Sequence, residues 1–240
     1  MSQSAPTIRV LTWNVHGCVG RDGLCDPNRV ARVLEAAQPG ISALQEIDSR
    51  TRAAARDPFS YFGELFGWTT VSARTLSAKD GHYGHIVLSR WPIESLGELD
   101  LSMRWSEPRK AIVGAIHAPG ARVIVIAVHL GLLPFERRRQ FARLRERIET
   151  IAERPVIVLG DFNDFPRLLN RRALSPSLAA TPRLATYPSR LPLLPLDRIW
   201  FSAPLRLVTA ATLNDAEHVS DHLPLVASLR LEERAEQPAA

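Results

Sequence analysis

Val156-Ile157-Val158-Leu159-Gly160-Asp161-Phe162-Asn163-Asp164 is the stretch from which the rest of the chain can be read. Four consecutive apolar residues, three of them β-branched, make a strand buried on both faces, as in the middle of a sheet. Gly160 is expected to break that strand, and Asp161, Asn163 and Asp164 follow at once. A carboxylate and a carboxamide two residues apart at the mouth of a buried strand can face a common point. There they can hold water, a metal or a phosphate oxygen. An ordinary Gly-Asp turn fits the same residues, and so short a motif does not choose between the two.

Working outward, the preceding strand Arg122 to Val128 ends in His129, and the helical pattern Pro134 to Glu153 separates it from Val156. The same order stands earlier in the chain. Ile8 to Trp13 is a strand ending in Asn14, Asn28 to Ala37 has apolar residues at helical spacing, and Ile41 to Leu44 is a strand ending in Gln45-Glu46. Asn14 and Glu46 lie 32 residues apart, as do His129 and Asp161. A strand–helix–strand crossover makes its two strands parallel, so both polar ends emerge on one edge of the sheet. Ligands of α/β sheets bind at that edge. Two packed sheets flanked by helices would bring both halves to one cleft.

The remaining elements fill in this plan. Asp26 before Pro27 is the expected N-cap of the first helix, and Gly40 its stop. Arg52 to Phe66 reads as a second helix, broken or delayed by Pro58. Trp68–Ala73, Tyr83–Ser89, Glu94–Leu99 and Ala111–His117 are strands between Gly, Pro and Asp signals. In Pro134 to Glu153, Phe141, Leu144, Ile148 and Ile151 share one face; Arg137, Arg138, Arg143, Arg145 and Arg147 share the other. An outer-layer helix with a solvated face has this pattern, and so does a helix lying on a membrane surface. Leu168 to Leu174 is a short helix, and Ser175 to Pro195 a proline-rich loop leading into Asp197. Loops of that length are usually functional or mobile. Leu196–Ser202, Leu205–Leu213 and Leu223–Leu231 complete the strands.

Composition sets the outer bounds. With 240 residues, 45% hydrophobic and 23% charged, the chain is expected to be one globular domain, 1–240, with its core over about 8–230 and a polar tail at 232–240. The apolar runs are of strand length, which excludes a transmembrane helix. Met1 to Val10 has no basic-then-apolar signal pattern, so a cytoplasmic protein is expected, and separately a monomer. Cys18 and Cys25 are the only cysteines, too few ligands for a metal and expected to be free thiols. The net charge of +5 permits an anionic substrate. Only Lys79 and Lys110 among the 30 basic residues are lysine. So lopsided a ratio can reflect codon composition as much as phosphate binding.

Two further segments carry polar residues beside strands, Leu196-Asp197-Arg198-Ile199 and Ser220-Asp221-His222-Leu223-Pro224. The strand-end set is then Asn14, Glu46, His129, Asp161, Asn163, Asp197, Asp221 and His222. Oxygen-rich, with two imidazoles and no thiolate, it suits Mg²⁺ or Mn²⁺.

At this point the sequence resembles a known family. Trp13-Asn14-Val15-His16-Gly17, Leu44-Gln45-Glu46, Gly84 to Pro92, Val128-His129-Leu130, Gly160-Asp161-Phe162-Asn163 and the two segments just named stand in the order found in the endonuclease/exonuclease/phosphatase superfamily. The resemblance spans about residues 8–230. It implies an α/β fold, a four-layer α/β/β/α sandwich of two packed mixed sheets with outer helices, and divalent-metal-dependent cleavage of phosphate esters. It implies Glu46 as the main metal ligand, with Asn14 beside it and Asp221 nearer or through water. It implies His222 as the catalytic histidine oriented by Asp197, and Asp161 as the group that positions or deprotonates water. Asn163 and His129 would donate to the non-bridging oxygens. Whether Asp161 or the His222–Asp197 pair activates water stays open.

Substrate class is less marked. Apurinic endonucleases of the family carry an asparagine where this chain has His16, and the segment from Trp13 to Asp26 is more similar to uncharacterised bacterial members related to the sphingomyelinase-like branch. The expected activity is therefore that of a phosphodiesterase on a small or lipid-derived phosphodiester. A DNA nuclease and a catalytically inactive binding module are the alternatives. Nucleic acid and a membrane surface stay open as partners. His85 reads as a packed histidine in preference to a substrate contact, since lone histidines are often partly buried. Arg109 reads equally as a phosphate contact or a surface ion pair.

Overall fold

Side chains on a strand alternate between its faces, and here that alternation sorts the chain into layers. The computed structural model describes residues 5–50, 56–165 and 174–232. The chain builds most of one sheet from Thr7–Asn14 (β1), Ile41–Asp48 (β2), Thr69–Ala78 (β3) and Gly81–Ser89 (β4). It then makes a second sheet from Ile93–Asp100 (β5), Lys110–Ala118 (β6), Ala121–His129 (β7), Val156–Asp161 (β8), Leu178–Ala180 (β9) and Asp197–Ser202 (β10). Leu205–Thr212 (β11) and Leu225–Leu231 (β12) return to the first sheet. The strand orders are β11-β12-β1-β2-β4-β3 and β5-β6-β7-β8-β10-β9. β1 runs parallel to β2 and β7 parallel to β8, while every other pairing is antiparallel. The two crossovers expected from the equal spacing are the two parallel pairs.

Ile8 and Val10 of β1 and Ile157 and Leu159 of β8 meet in the layer between the sheets. Leu11 and Trp13 turn the other way, onto Pro27–Ala37 (α1) and Pro58–Phe66 (α2) through Val30, Leu34 and Phe62. Val156 and Val158 turn onto Pro134–Thr150 (α3) through Phe141, Leu144 and Ile148. Both faces of the central strands are therefore buried, which explains their unbroken apolar runs. The result is a four-layer α/β/β/α sandwich of two mixed sheets. No helix among the described residues is long and apolar enough to cross a membrane.

Several local expectations are corrected. β8 does not break at Gly160; it continues to Asp161, with Gly160 paired to both Val128 and Arg198. Glycine is required there by close approach, since a Cβ would lie 2.0 Å from the Val128 carbonyl oxygen. α1 starts as expected, with Asp26 accepting from the Asn28 amide, but Gln38 ends it in the left-handed conformation (φ 50°), ahead of Gly40. α2 begins at Pro58 behind an Asp57 cap; the expected turn over residues 52–55 lies outside the described residues, as do most of the Leu168–Leu174 helix and the tail beyond 232. α3 ends at Thr150, before Glu153. Arg137 does not join the solvated face: it is 1% exposed, and its guanidinium donates to the carbonyls of Gly131, Leu132 and Phe165. Those carbonyls lie at a loop and helix start with no ladder partner, and the buried cation satisfies them. Ser175–Pro195 is not bare loop, because it contains β9 and a bridge between Tyr187 and Leu194.

Candidate active site

Parity along the strands puts the functional side chains in one place. Residues 8, 10 and 12 of β1 face the other sheet, so Asn14 does too; 157 and 159 carry Asp161, 125 and 127 carry His129, and 199 and 201 carry Asp197. All four stand at the ends of their strands that border the cleft between the sheets. The register pairs Asn14 with Gln45 in one half and His129 with Asp161 in the other.

Glu46 breaks the rule. Strict alternation would turn it toward α1 and α2 with Leu44. Instead the β2–β4 register shifts between Leu44 and Ile47, and Glu46 adopts φ 58°. A bulge with a left-handed residue re-aims its side chain. The carboxylate then accepts from Asn14 Nδ2 at 2.8 Å. The same amide nitrogen lies 3.2 Å from Asp161 Oδ2, so Asn14 ties the two halves together. Its own oxygen accepts from the His16 backbone N–H at 3.0 Å, which fixes the orientation of the amide.

On the opposite wall, His222 Nδ1 is 2.9 Å from Asp197 Oδ2, and its Nε2 is 3.9 Å from Asp161 Oδ2. Side-chain bonds to backbone carbonyls hold this loop against β1: Trp13 Nε1 donates to the His222 carbonyl and Ser220 Oγ to the Asn14 carbonyl. Asp161 Oδ1 accepts the Asn163 N–H, and Asn163 (φ 49°) donates its side-chain amide to Leu130 O. His129 Nε2 lies 3.8 Å from both Glu46 Oε1 and Asp161 Oδ2. Asp221, further out, has Oδ2 3.8 Å from His16 Nδ1. Every residue expected in the site is thus at this cleft.

Electrostatics separates their roles. Burial pushes the Glu46 carboxyl up, but the hydrogen bonds from His16 and the Asn14 amide outweigh it and hold the pKa at about 2. Asp161 moves the other way: burial, reinforced by the negative Asp197, raises its carboxyl despite His222, Asn14 and the Asn163 amide. Burial disfavours a charged His222, yet the Asp197 and Asp161 carboxylates dominate and push its pKa to about 10. Burial and the Arg109 charge keep His129 neutral, well below its ordinary value. Arg109 Nη1 is 3.1 Å from His129 Nδ1. Arginine only donates, so His129 carries its proton on Nε2, aimed into the cleft.

Asp161, Asp197 and His222 also offer ligand atoms within 4.8 Å of one another. His222 Nδ1 and Asp197 Oδ2 are already bonded to each other, so this trio is better read as acid–base apparatus. The hard donors of Glu46, Asn14 and Asp221, with His16 Nδ1 3.6 Å from Glu46 Oε2, form the more suitable cation edge.

Three participants have no place in the site fixed by the sequence, although Arg109 reads there as a phosphate contact or a surface ion pair. Arg109, 5% exposed, is packed against His129, with Glu107 3.3 Å away on its outer side. His16 bridges Glu46 and Asp221. The Tyr187 ring lies 4.9 Å from the His222 ring. His16 had a signal, an imidazole within the first motif; Tyr187 had none. His85 is a packed histidine, as expected: it is 1% exposed, and burial with the Arg109 charge depresses its pKa to about 4.

Comparison with known proteins bears on the family and the fold. Residues 11–222 match the Endonuclease/Exonuclease/phosphatase family. The protein YbhP of Escherichia coli (strain K12) is 37% identical over 163 residues, 63% of this chain and 64% of the relative, so the chain spans under two thirds of that protein. The crystal structure of an endonuclease/exonuclease/phosphatase from Beutenbergia cavernae is similar with a TM-score of 0.75 at 22% identity, over 94% of this chain and 72% of that one. The human Nocturnin catalytic domain, solved with a bound sulfate anion, is similar with a TM-score of 0.70 at 21% identity, over 95% and 96% of the two chains. At these identities the two structures share the fold with this chain.

Proposed function

The chain belongs to the endonuclease/exonuclease/phosphatase family, and from that premise we propose that it is a divalent-metal-dependent phosphodiesterase acting on a small or lipid-derived phosphodiester. The observation that carries this reading is His222, bonded through Nδ1 to Asp197 at 2.9 Å and facing Asp161 through Nε2 at 3.9 Å. An imidazole kept protonated beside a carboxyl whose pKa is raised is an acid–base pair poised for phosphoryl transfer.

The donor set fits the metal. Glu46 stays ionised, its side chain is one quarter exposed, and His16 Nδ1, 3.6 Å from Glu46 Oε2 and 3.8 Å from Asp221 Oδ2, places both carboxylates at one edge of the cleft. Glu46, Asn14 and Asp221 would hold Mg²⁺ or Mn²⁺, with His16 beside them. When bound, the cation supplies charge neutralisation to a phosphate oxygen.

The remaining work belongs to the chain. Asp161 orients the attacking water and takes its proton; its raised pKa makes it a better acceptor than an ordinary aspartate. His222 donates from Nε2 as negative charge accumulates on the phosphoryl oxygens, and Asp197 fixes the ring and supports its charge. His129 offers Nε2–H and Asn163 its second amide proton to the non-bridging oxygens. Arg109 holds the His129 tautomer and adds positive charge behind it.

The test is hydrolysis of bis-p-nitrophenyl phosphate, plasmid DNA, an abasic duplex, sphingomyelin and lysophospholipids, with Mg²⁺, with Mn²⁺ and with EDTA. Metal-dependent release from a non-nucleic phosphodiester is expected. Release only from DNA would make the protein a nuclease, and no release from any substrate would make it a binding module.

A further inference from the structure

Large apolar side chains left in water are not spread evenly over this molecule. Eleven are exposed among the described residues; Leu65, Leu96 and Val208 stand on α2, β5 and β11, and Leu24 on the loop that follows His16. The other seven sit on four loops, each of which carries or touches a site residue. The loop leading to Arg109 presents Trp105, 90% exposed with φ 72°. The loop leaving His129 presents Leu132 at 70% and Leu133 at 48%, followed by Phe135 in the first turn of α3 at 55%. The segment after Asn163 presents Phe165 at 54%. The Tyr187–Leu194 turn, packed on His222, presents Leu191 and Leu193.

Three of these four loops are fixed to one another. Trp105, Leu133 and Phe135 line one open cleft of about 780 Å³ together with Arg104, Arg139 and Arg143. Arg143 ties the Trp105 loop to α3 by donating to the carbonyls of Asp100 and Ser102. The buried Arg137 guanidinium gathers the Leu132 and Phe165 backbones onto one group. The rim is also positive: Arg104 stacks over the Trp105 ring at 4.7 Å, and Arg104, Arg139 and Arg190 have no carboxylate partner among the described residues.

A concentrated exposed apolar patch marks an interaction surface. Four of the seven side chains are leucines, which have no π face for a base to stack on and gain by leaving water for hydrocarbon. Aromatic and arginine side chains between them match the headgroup level of an anionic bilayer. We propose that this rim docks on an anionic phospholipid surface, so that the scissile phosphodiester enters the cleft from the plane of the bilayer. Its substrate side rests on the hydrolase reading above; the docking itself does not.

Sedimentation with vesicles of phosphatidylcholine, with and without phosphatidylglycerol, tests it on the full chain. The protein is expected to bind the phosphatidylglycerol vesicles, and L133E/F135E to bind them at least about tenfold more weakly. Both positions are exposed, and glutamate at a helix N-terminus is favourable, so folding should survive. Hydrolysis of bis-p-nitrophenyl phosphate by the variant should match the parent. Parent protein that ignores the vesicles, or a variant that binds them equally, overturns the docking. A variant that loses single-stranded oligonucleotide binding while keeping vesicle binding overturns it in favour of nucleic acid. Soluble hydrolysis without vesicle binding refutes the docking alone. Vesicle binding lost in L133E/F135E, with no hydrolysis of any phosphodiester, supports the docking and refutes the hydrolase.

Discussion

At the scale of residues, the site divides its titrating groups by environment. Asp197 and His222 share a 2.9 Å hydrogen bond, both nearly inaccessible, so they are expected to act as one unit. His222→Ala should cost about 4 kcal/mol or more of transition-state stabilisation, roughly a thousandfold in rate. Asp197→Asn should add little in the double mutant, because residues acting together are non-additive. A double-mutant cycle at saturating Mg²⁺, with folding checked, measures this; losses that multiply would separate the two. On the other wall, Glu46→Gln removes the charge held at about 2 and should raise the half-saturating metal concentration by at least tenfold. Its effect can be read by isothermal titration of Mn²⁺ without turnover. An unchanged titration would take Glu46 out of the metal site. The residue types and their strand-end positions were legible in the chain, since each follows an apolar run. The partners that set their protonation were not, because Arg109 lies 20 residues from His129 and nothing local links them.

At the scale of elements, β4 carries a histidine in the dry layer between the sheets. His85 has a folded pKa near 4 against an ordinary 6.5, because burial and then the Arg109 charge oppose its protonation. The folded state therefore binds fewer protons than the unfolded state between those values. Its stability is full above about pH 6.5 and falls as pH drops toward 4, by about 3 kcal/mol in total. His85→Gln should flatten that part of the profile. Urea unfolding of both proteins at pH 7 and pH 4.5 checks it, and parallel slopes would show that His85 titrates normally. Helix and strand identities were readable from period and caps; Asp26 before Pro27 placed the start of α1 to the residue. Ends were less so. Gln38 stops α1 because it can take the left-handed turn first, a choice that the later Gly40 does not advertise.

At the scale of the molecule, both sheets contribute to one buried layer, Ile8, Val10, Ile41 and Val87 from one and Ile112, Val125, Ile157 and Leu159 from the other. Neither sheet has another apolar surface to cover that face, so the two halves are expected to unfold together. Tryptophan fluorescence and far-ultraviolet dichroism should give coincident urea transitions. Two separated transitions would show that the halves are independent units.

The sequence by itself determined the two parallel crossovers and the working edge, while the four-layer sandwich was what the family resemblance implied. Alternation within strands, helical spacing between them and two equal crossovers are local or nearly local signals, and chain geometry makes each crossover parallel. Only the tertiary structure decided which side chains meet. By parity Gln45 should face the cleft and Glu46 the helices; the β2–β4 register shift reverses this for Glu46. Gly160 looked like an end and is instead the point where β8 passes close against Val128. Pairing register, close backbone approach and the exposure of loop tips depend on what lies opposite in space. Those neighbours come from distant parts of the chain, so no run of residues announces them.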